Sequence, residues 1–195
     1  MFKAFDPSND VSTSTQVKAS VQRGIKSQIS TAHPALTDDI LDEILPKKPP
    51  LVQYKIGPHL MLYCRQKEGG GDEPIFFQHR DGPILPTLKF VHKYPMLHFT
   101  KVTVDSGAIS FMLGGANIMC PGLTSAGGEM PPDGEDGPGL KKGSPIVIYA
   151  EGKEFPLAVG FMTMSSKEIR KKNKGHGVEV SHFLGDGLWG TDEIQ

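Results

Sequence analysis

The sequence predicts an α+β protein made of two small domains, the first over residues 1–95 and the second over 96–190. Three observations lead there. The 195 residues fit one or two domains of ordinary size, about 150 residues each. Glycine (23) and proline (16) together supply 39 of those residues, which favours short elements and many turns over long helices. Hydrophobic spacing also changes along the chain, from every fourth residue near the start to short apolar runs bounded by glycine and proline. At 37% hydrophobic and 22% charged residues, there is enough apolar material for a core.

The elements follow in order. Val17, Val21, Ile25 and Ile29 make a stripe that predicts a helix from residue 17 to about 29, weakened at Gly24 and ended by His33-Pro34. A shorter helix is expected from Thr37, with Asp38 and Asp39 in its first turn, where the helix dipole favours them. Ile40, Leu41, Ile44 and Leu45 form its apolar face, and Pro46 stops it. Three β-like runs follow over 51–56, 59–65 and 75–79, separated by Gly57-Pro58 and by Gly69-Gly70-Gly71-Asp72. Residues 87–93 read as a short helix or turn before Tyr94-Pro95.

The second block opens with a strand over 101–104. Asp105 is placed to cap a short helix with Ala108, Ile109, Met112 and Leu113 on its apolar face, ended by Gly114-Gly115. A strand over 116–120 and a turn at Pro121-Gly122 come next. Residues 126–139, rich in glycine, proline and acid, predict a mobile solvent loop. Strands over 145–150 and 156–164 flank a hairpin turn at Glu151-Gly152-Lys153. Ser165 with Glu168 is a capping box that opens a helix closing at Lys174-Gly175, and the last strand spans 178–183.

Charge and motifs narrow the function classes. Lysine and arginine number 21 against 22 acidic residues, which excludes a globally basic nucleic-acid protein but not a local basic patch. Cys64 and Cys120 allow one bridge at most, and no Cys-x-x-Cys or His-x-x-x-His pair suggests a zinc site. No signal-like apolar run begins the chain, and the stretch 108–123 is too short and broken to span a bilayer. The expectation is a soluble, cytoplasmic protein with no metal and no cofactor. Both cysteines sit in apolar strands and read as small buried hydrophobes. No Gly-x-Ser-x-Gly elbow, phosphate-binding loop or His-Glu-x-x-His occurs, so no catalytic constellation is expected.

The basic residues carry more. Lys167, Arg170, Lys171, Lys172 and Lys174 against Glu168 give a local charge of +4 over eight residues, a solvated helix face or a phosphate-binding edge. Gly107 and Ala108 open a helix whose amides suit an anion. Gly114, Gly115 and Ala116 leave backbone that single-stranded RNA can approach, or serve close packing.

The runs Val104-Asp105-Ser106-Gly107-Ala108-Ile109 and Gly114 to Leu123 resemble a PUA domain, and Gly160, Met164-Ser165-Ser166, Lys174-Gly175 and Asp186-Gly187-Leu188-Trp189 continue the pattern. Ser20 to Lys26, Leu45-Pro46-Lys47-Lys48 and Pro86 to Pro95 resemble the malignant T-cell-amplified sequence (MCTS) family. Gly69–Pro74 and 126–139 look longer than is usual there. The resemblance implies a PUA-type β-barrel as the second domain. It implies a noncatalytic, RNA-binding translation factor that pairs with a density-regulated protein (DENR) and resembles, in two chains, the single-chain factor ligatin. Such a pair binds the small ribosomal subunit, acts in noncanonical initiation and reinitiation, and helps release deacylated tRNA during recycling.

Carried onto this sequence, the candidates for the tRNA acceptor end are Gly107, Ala108, Gly114, Gly115, Ala116 and Asn117, with Lys171, Lys172 and Lys174 on phosphates. The candidates for ribosomal RNA are Arg23, Lys26, Lys47, Lys48, Arg80, Lys89 and Lys93. Ile118, Met119 and Leu123 are expected in the core. The alternative function is a PUA-domain accessory factor in ribosome assembly or RNA modification. A plain protein scaffold would lack salt-sensitive RNA binding.

Overall fold

Asp6 caps a single turn, α1 (Pro7–Asp10), its carboxylate accepting from the Ser8 amide. The computed structural model describes residues 1–135 and 137–195. Strand β1 (Val11–Gln16) follows, almost wholly exposed; its polar Val-Ser-Thr-Ser-Thr-Gln sequence hides it from a hydrophobic-periodicity reading. Helix α2 (Ala19–Ala32) forms where expected but buries a different face: Ile25, Ile29 and Gln22 point inward and Val21 is 49% exposed. A strict spacing of four drifts about 40° per step around a helix, so the stripe leaves the contact face within two turns. Gln22 takes the inner position because its side chain is satisfied there. Its Nε2 donates to the carbonyls of Leu45 and Pro46, and its Oε1 accepts from the Leu51 amide.

Thr37 precedes α3 (Asp38–Ile44) as the cap residue but makes no side-chain capping bond. Strands β2 (Val52–Ile56), β3 (Leu60–Gln66), β4 (Asp72–His79) and β5 (Leu85–Pro86) complete an antiparallel meander with β1 at one edge. Thr87 caps α4 (Leu88–Lys93), its hydroxyl accepting from the Phe90 amide. Phe76, Phe77, Leu62 and Phe90 are fully buried.

The second unit begins with β6 (Lys101–Val104) and a 3-10 turn at Ser106–Ala108, which leads into α5 (Ile109–Leu113). Strand β7 (Ile118–Met119) is shorter than the expected 116–120. Pro121 starts a helical turn, α6 (Pro121–Thr124), where a plain turn was expected; proline at the first helical position is already shaped for one. Two-residue strands β8 (Asp133–Gly134) and β9 (Gly137–Pro138) make a hairpin, and β10 (Pro145–Ala150), β11 (Ala158–Met162), α7 (Ser166–Lys172) and β12 (His176–Phe183) follow. The sheet order is β6-β10-β11-β12-β7, parallel only between β6 and β10. Its core holds Val104, Met112, Ile148, Met162, Ile169 and Val178.

Residues 129–133 of the segment expected to be a mobile loop are held by specific bonds. Thr103 and Glu129 exchange two backbone hydrogen bonds of 2.8 Å, and Met130 is buried. Arg170 donates to the carbonyls of Met130 and Pro131 and pairs with Asp133. Asp136, part of the same acidic run, lies outside the described residues.

The chain divides into two units that each borrow a tail. Met1–Lys3 belongs with Phe99–Asp186, and Gly187–Gln195 belongs with Ala4–His98. In the latter, after the single turn α8 (Gly187–Gly190), Ile194 is buried and exchanges two backbone hydrogen bonds of 2.9 Å with Asp72.

The capping box at α7 forms as the sequence predicts: the Glu168 amide donates to Ser165 Oγ and the Ser165 amide to Glu168 Oε2. Ser165→Ala is expected to cost about 1 kcal/mol, a fall in Tm of about 2–4 °C for a chain of this size. Thermal unfolding followed by circular dichroism checks it; an unchanged midpoint would mean that packing of Ile169 alone holds the helix.

Candidate functional site

An open cleft of about 390 Å³ in the second unit is built by the 3-10 turn, α5, β7 and the residues around them. Gly107, Ala108, Ala116 and Asn117 line it, as do Asp105, Met112 and Ile118. Phe111, 69% exposed, and Met119, 47% exposed, also line it. Met119 was expected in the core. Successive residues of a strand face opposite ways, so Ile118 is buried and Met119 points out. Ile118 and Leu123 are buried as expected.

The small residues have internal work. Gly115 sits at φ +86° in the left-handed region. The Gly115 amide donates to the Met112 carbonyl and the Ala116 amide to that of Phe111, at 2.9 and 3.0 Å. This pair of bonds is a Schellman termination of α5. Gly114 gives its carbonyl to Lys3 Nζ at 3.1 Å, and neither Gly114 nor Gly115 lines the cleft. The amides at the start of the 3-10 turn already face carboxylates: Ala108 donates to Asp105 Oδ1 at 2.9 Å and Ser106 to Glu151 Oε2 at 3.3 Å. The anion position suggested by Gly107 and Ala108 is therefore taken by the chain's own acids. Asn117 Oδ1 accepts from the Val180 amide at 3.1 Å.

Among the described residues, no lysine or arginine lines the cleft. The basic residues of α7 stand beside its rim through the loop that follows the helix. Asn173, at φ 43°, ends α7; the Lys174 carbonyl then accepts from Cys120 Sγ at 3.3 Å, and the Gly175 carbonyl from the Cys120 amide at 2.9 Å. His176 pairs with Met119 and lines the cleft. Lys172 pairs with Glu168 at 3.5 Å. Burial pushes the thiols of Cys120 and Cys64 up, Cys64 strongly, so neither is an activated nucleophile.

The candidates of the first unit fall into two grooves and two separate positions. Arg23, Lys26 and Lys47 line a groove of about 810 Å³ with Ser27, Asp38 and Asp42. Lys26 pairs with Asp42 at 2.5 Å, and that hydrogen bond holds the Asp42 carboxyl below the usual range. Lys89 and Lys93 line a second groove, of about 540 Å³, with Lys67, Glu73, Asp192 and Glu193. There Lys89 pairs with Asp192, Lys67 with Glu193 at 3.1 Å, and Lys93 with Glu73 at 2.7 Å. Burial disfavours a charge on Glu73, but hydrogen bonds from Lys93 and Arg65 outweigh it and keep its carboxyl below the ordinary value. Lys48 and Arg80 are exposed and line neither groove, Arg80 in the left-handed region at φ 53°.

Sequence reading missed Phe111 and the acidic tail residues Asp192 and Glu193. Phe111 had a signal: it is a large aromatic off the apolar face formed by Ala108, Ile109, Met112 and Leu113. The tail had none, because its partners are more than 100 residues away.

The two units define a Pre-PUA–PUA protein: residues 5–95 match the Pre-PUA-like domain and residues 99–187 the elF2D PUA domain. The chain belongs to the malignant T-cell-amplified sequence family. It is 47% identical to translation machinery-associated protein 20 of Schizosaccharomyces pombe, with 98% of each chain covered. It is 46% identical to the malignant T-cell-amplified sequence 1 homolog of Drosophila melanogaster, covering 100% of both. It is 43% identical to human malignant T-cell-amplified sequence 2, covering 97% of both. Among solved structures, a hypothetical protein from Pyrococcus horikoshii OT3 shares the fold at a TM-score of 0.69 and 23% identity, covering 92% of this chain and 99% of the other. A conserved PUA domain protein from Thermoplasma acidophilum matches at a TM-score of 0.57 and 21% identity, covering 92% and 99%.

Proposed function

We propose that the chain is a noncatalytic, RNA-binding translation factor of the cytoplasm. It acts on the small ribosomal subunit with a DENR-type partner, in noncanonical initiation and reinitiation and in release of deacylated tRNA during recycling. The observation that carries this reading is an open apolar cleft beside exposed lysines on the PUA unit of a chain whose relatives are named for the translation machinery. The unpaired end of an acceptor stem has flat bases that suit Phe111 and Met119, and phosphates that suit Lys171 and Lys174, with Lys172 contributing less while paired with Glu168. Gly107, Ala108, Ala116 and Asn117 let it approach; Gly114 and Gly115 contribute by shaping the end of α5.

On the first unit, Arg23, Lys47 and Lys48 are the strongest ribosomal RNA contacts, joined by Arg80. Lys26, Lys89 and Lys93 contribute less while held by Asp42, Asp192 and Glu73. Weak contacts on two units reinforce one another through effective concentration.

A second use of the cleft is favoured by its lining, which carries Asp105 and, among the described residues, no lysine or arginine. Such a surface accepts an apolar side chain of the partner protein as readily as a base. Phe111→Ser separates the two uses. With Phe111 so exposed, the fold is unaffected, and losing an aromatic anchor is expected to weaken its ligand about tenfold or more. Titration with partner and with an acceptor-stem RNA shows which affinity falls. Cosedimentation of the wild-type chain with small subunits, partner present and near-physiological salt, tests the whole reading; absence of binding would end it.

A further inference from the structure

Five lysines of the second unit, Lys141, Lys142, Lys167, Lys171 and Lys174, are exposed and make no ion pair among the described residues. Two segments distant in sequence bring them together. The Leu140 amide donates to Ser166 Oγ and the Ser166 amide to the Leu140 carbonyl, each at 2.9 Å. This seats the turn Lys141-Lys142-Gly143-Ser144 beside the first turn of α7. The turn is itself fixed: the Ser144 amide donates to the Lys141 carbonyl at 3.1 Å and the Lys141 amide to Ser144 Oγ at 3.1 Å. Gly143, at φ +83°, supplies the left-handed residue and donates to the Met162 carbonyl at 2.7 Å.

On α7, Ile169 is buried. Lys167 and Lys171 lie two residues either side of it, about 160° around the helix, and so share the outward face. Lys174 follows the left-handed Asn173, next to Cys120 and the rim of the cleft. The other two cations of α7 are committed elsewhere, Arg170 to Asp133 and the 130–131 carbonyls, Lys172 to Glu168. The unpaired lysines thus run from the 141–144 turn along α7, about 10 Å long, toward the cleft.

We propose that these five lysines form a track for the sugar–phosphate backbone of single-stranded RNA, delivering its end to the cleft. The proposal rests on the RNA-binding reading above and adds Lys141, Lys142 and Lys167 to it. A protein partner would need an apolar centre between the charges. Among the described residues, no large exposed apolar side chain lies in 140–145 or 165–175. Phosphates need only the cations.

The test uses the full chain and a fluorescein-labelled oligouridine 12-mer, with anisotropy measured across 50–200 mM KCl. Each phosphate neutralised on a single strand adds about 0.7 to the slope of log K against log salt. Lys141→Glu with Lys142→Glu, and Lys167→Glu with Lys171→Glu, are each expected to weaken binding at least fivefold and to flatten the slope by about 1.4. Lys153→Glu, at the far end of the six-residue β10, should leave both unchanged. The track is overturned if the wild-type chain does not bind the oligonucleotide, if both double variants bind like wild type, or if they lose only the partner protein. Cosedimentation with small subunits is run in parallel. Wild-type sedimentation in those cases would overturn the track alone, and its absence would overturn the translation reading as well.

Discussion

Gly160→Ala is expected to destabilise the PUA unit by about 3 kcal/mol or more, at the upper end of overpacking substitutions. A Cβ at this position would stand 2.0 Å from the Glu179 carbonyl oxygen and 3.1 Å from its carbon. Those are backbone atoms of β12, so no side chain can turn aside to make room. Gly160 lies in β11, the middle strand of five, opposite Ile146 on β10 and Val180 on β12. The register shifts between Val159 and Gly160, with His182 opposite one and Val180 opposite the other, so Ser181 is the extra residue of a bulge. A bulge bends and twists its strand, and here the Glu179 carbonyl of that strand occupies the place a Cβ at residue 160 would take. The expected fall in Tm is about 6–12 °C, read by scanning calorimetry. A shift under 2 °C would show that β11 and β12 separate at little cost.

Sequence logic reached those parts of the fold whose determinants are local. The capping box of α7, the Asp105 cap and the double-glycine end of α5 each sit within six residues of the backbone groups they satisfy, and each formed. The short apolar runs became β2, β3 and β4 because their buried positions are apolar in sequence. What stayed hidden depends on distant partners. Strand β1 exists because β2 offers it an edge, with Thr13 opposite Lys55 and Gln16 opposite Val52. The acidic segment after α6 is held by Thr103 and Arg170, 26 residues before and 41 residues after Glu129. Its composition predicts mobility, and composition does not record such contacts.

The candidate site was legible in the same uneven way. The pair Gly114-Gly115 marked the end of α5, and the left-handed Gly115 closes it. Its meaning as helix termination and its meaning as a place for RNA look alike in sequence, since both require small residues. Charge was harder. A lysine reads the same whether free or paired, and Lys89, Lys93 and Lys26 proved to be paired, whereas Lys171 did not. Hydrogen bonds from Lys89 and Lys67 pull the carboxyls of Asp192 and Glu193 below their ordinary values. The tail acids thus stay charged beside two lysines that would otherwise meet solvent or phosphate.

The first unit is expected to lose stability as the pH falls from about 6.5 to 4, and His33 is the cause. Its ring is 2% exposed, with Nε2 2.8 Å from the Ile84 carbonyl. A carbonyl only accepts, so the neutral ring carries its proton on Nε2. Burial lowers the His33 pKa to about 4, although the bond to Ile84 opposes the shift. In the unfolded chain the group titrates near 6.5. Between those values the unfolded state binds the proton and the folded state does not, so stability rises with pH across the window. The contribution is complete above about 6.5, and about 2–3 kcal/mol of it is gone by pH 4.5. Other groups of the unit change charge within the same range, so the share of His33 is read as the difference between the wild type and a variant that cannot titrate there. Urea unfolding followed through Trp189, the chain's one tryptophan and part of this unit, gives the free energy at pH 7.5 and 4.5. His33→Gln keeps an N–H for Ile84 and cannot titrate. Its loss between the two pH values should be smaller than that of the wild type by about 2–3 kcal/mol. Equal losses in the two proteins would mean that the folded state accommodates a protonated His33, and that acid acts on this unit through its carboxylates.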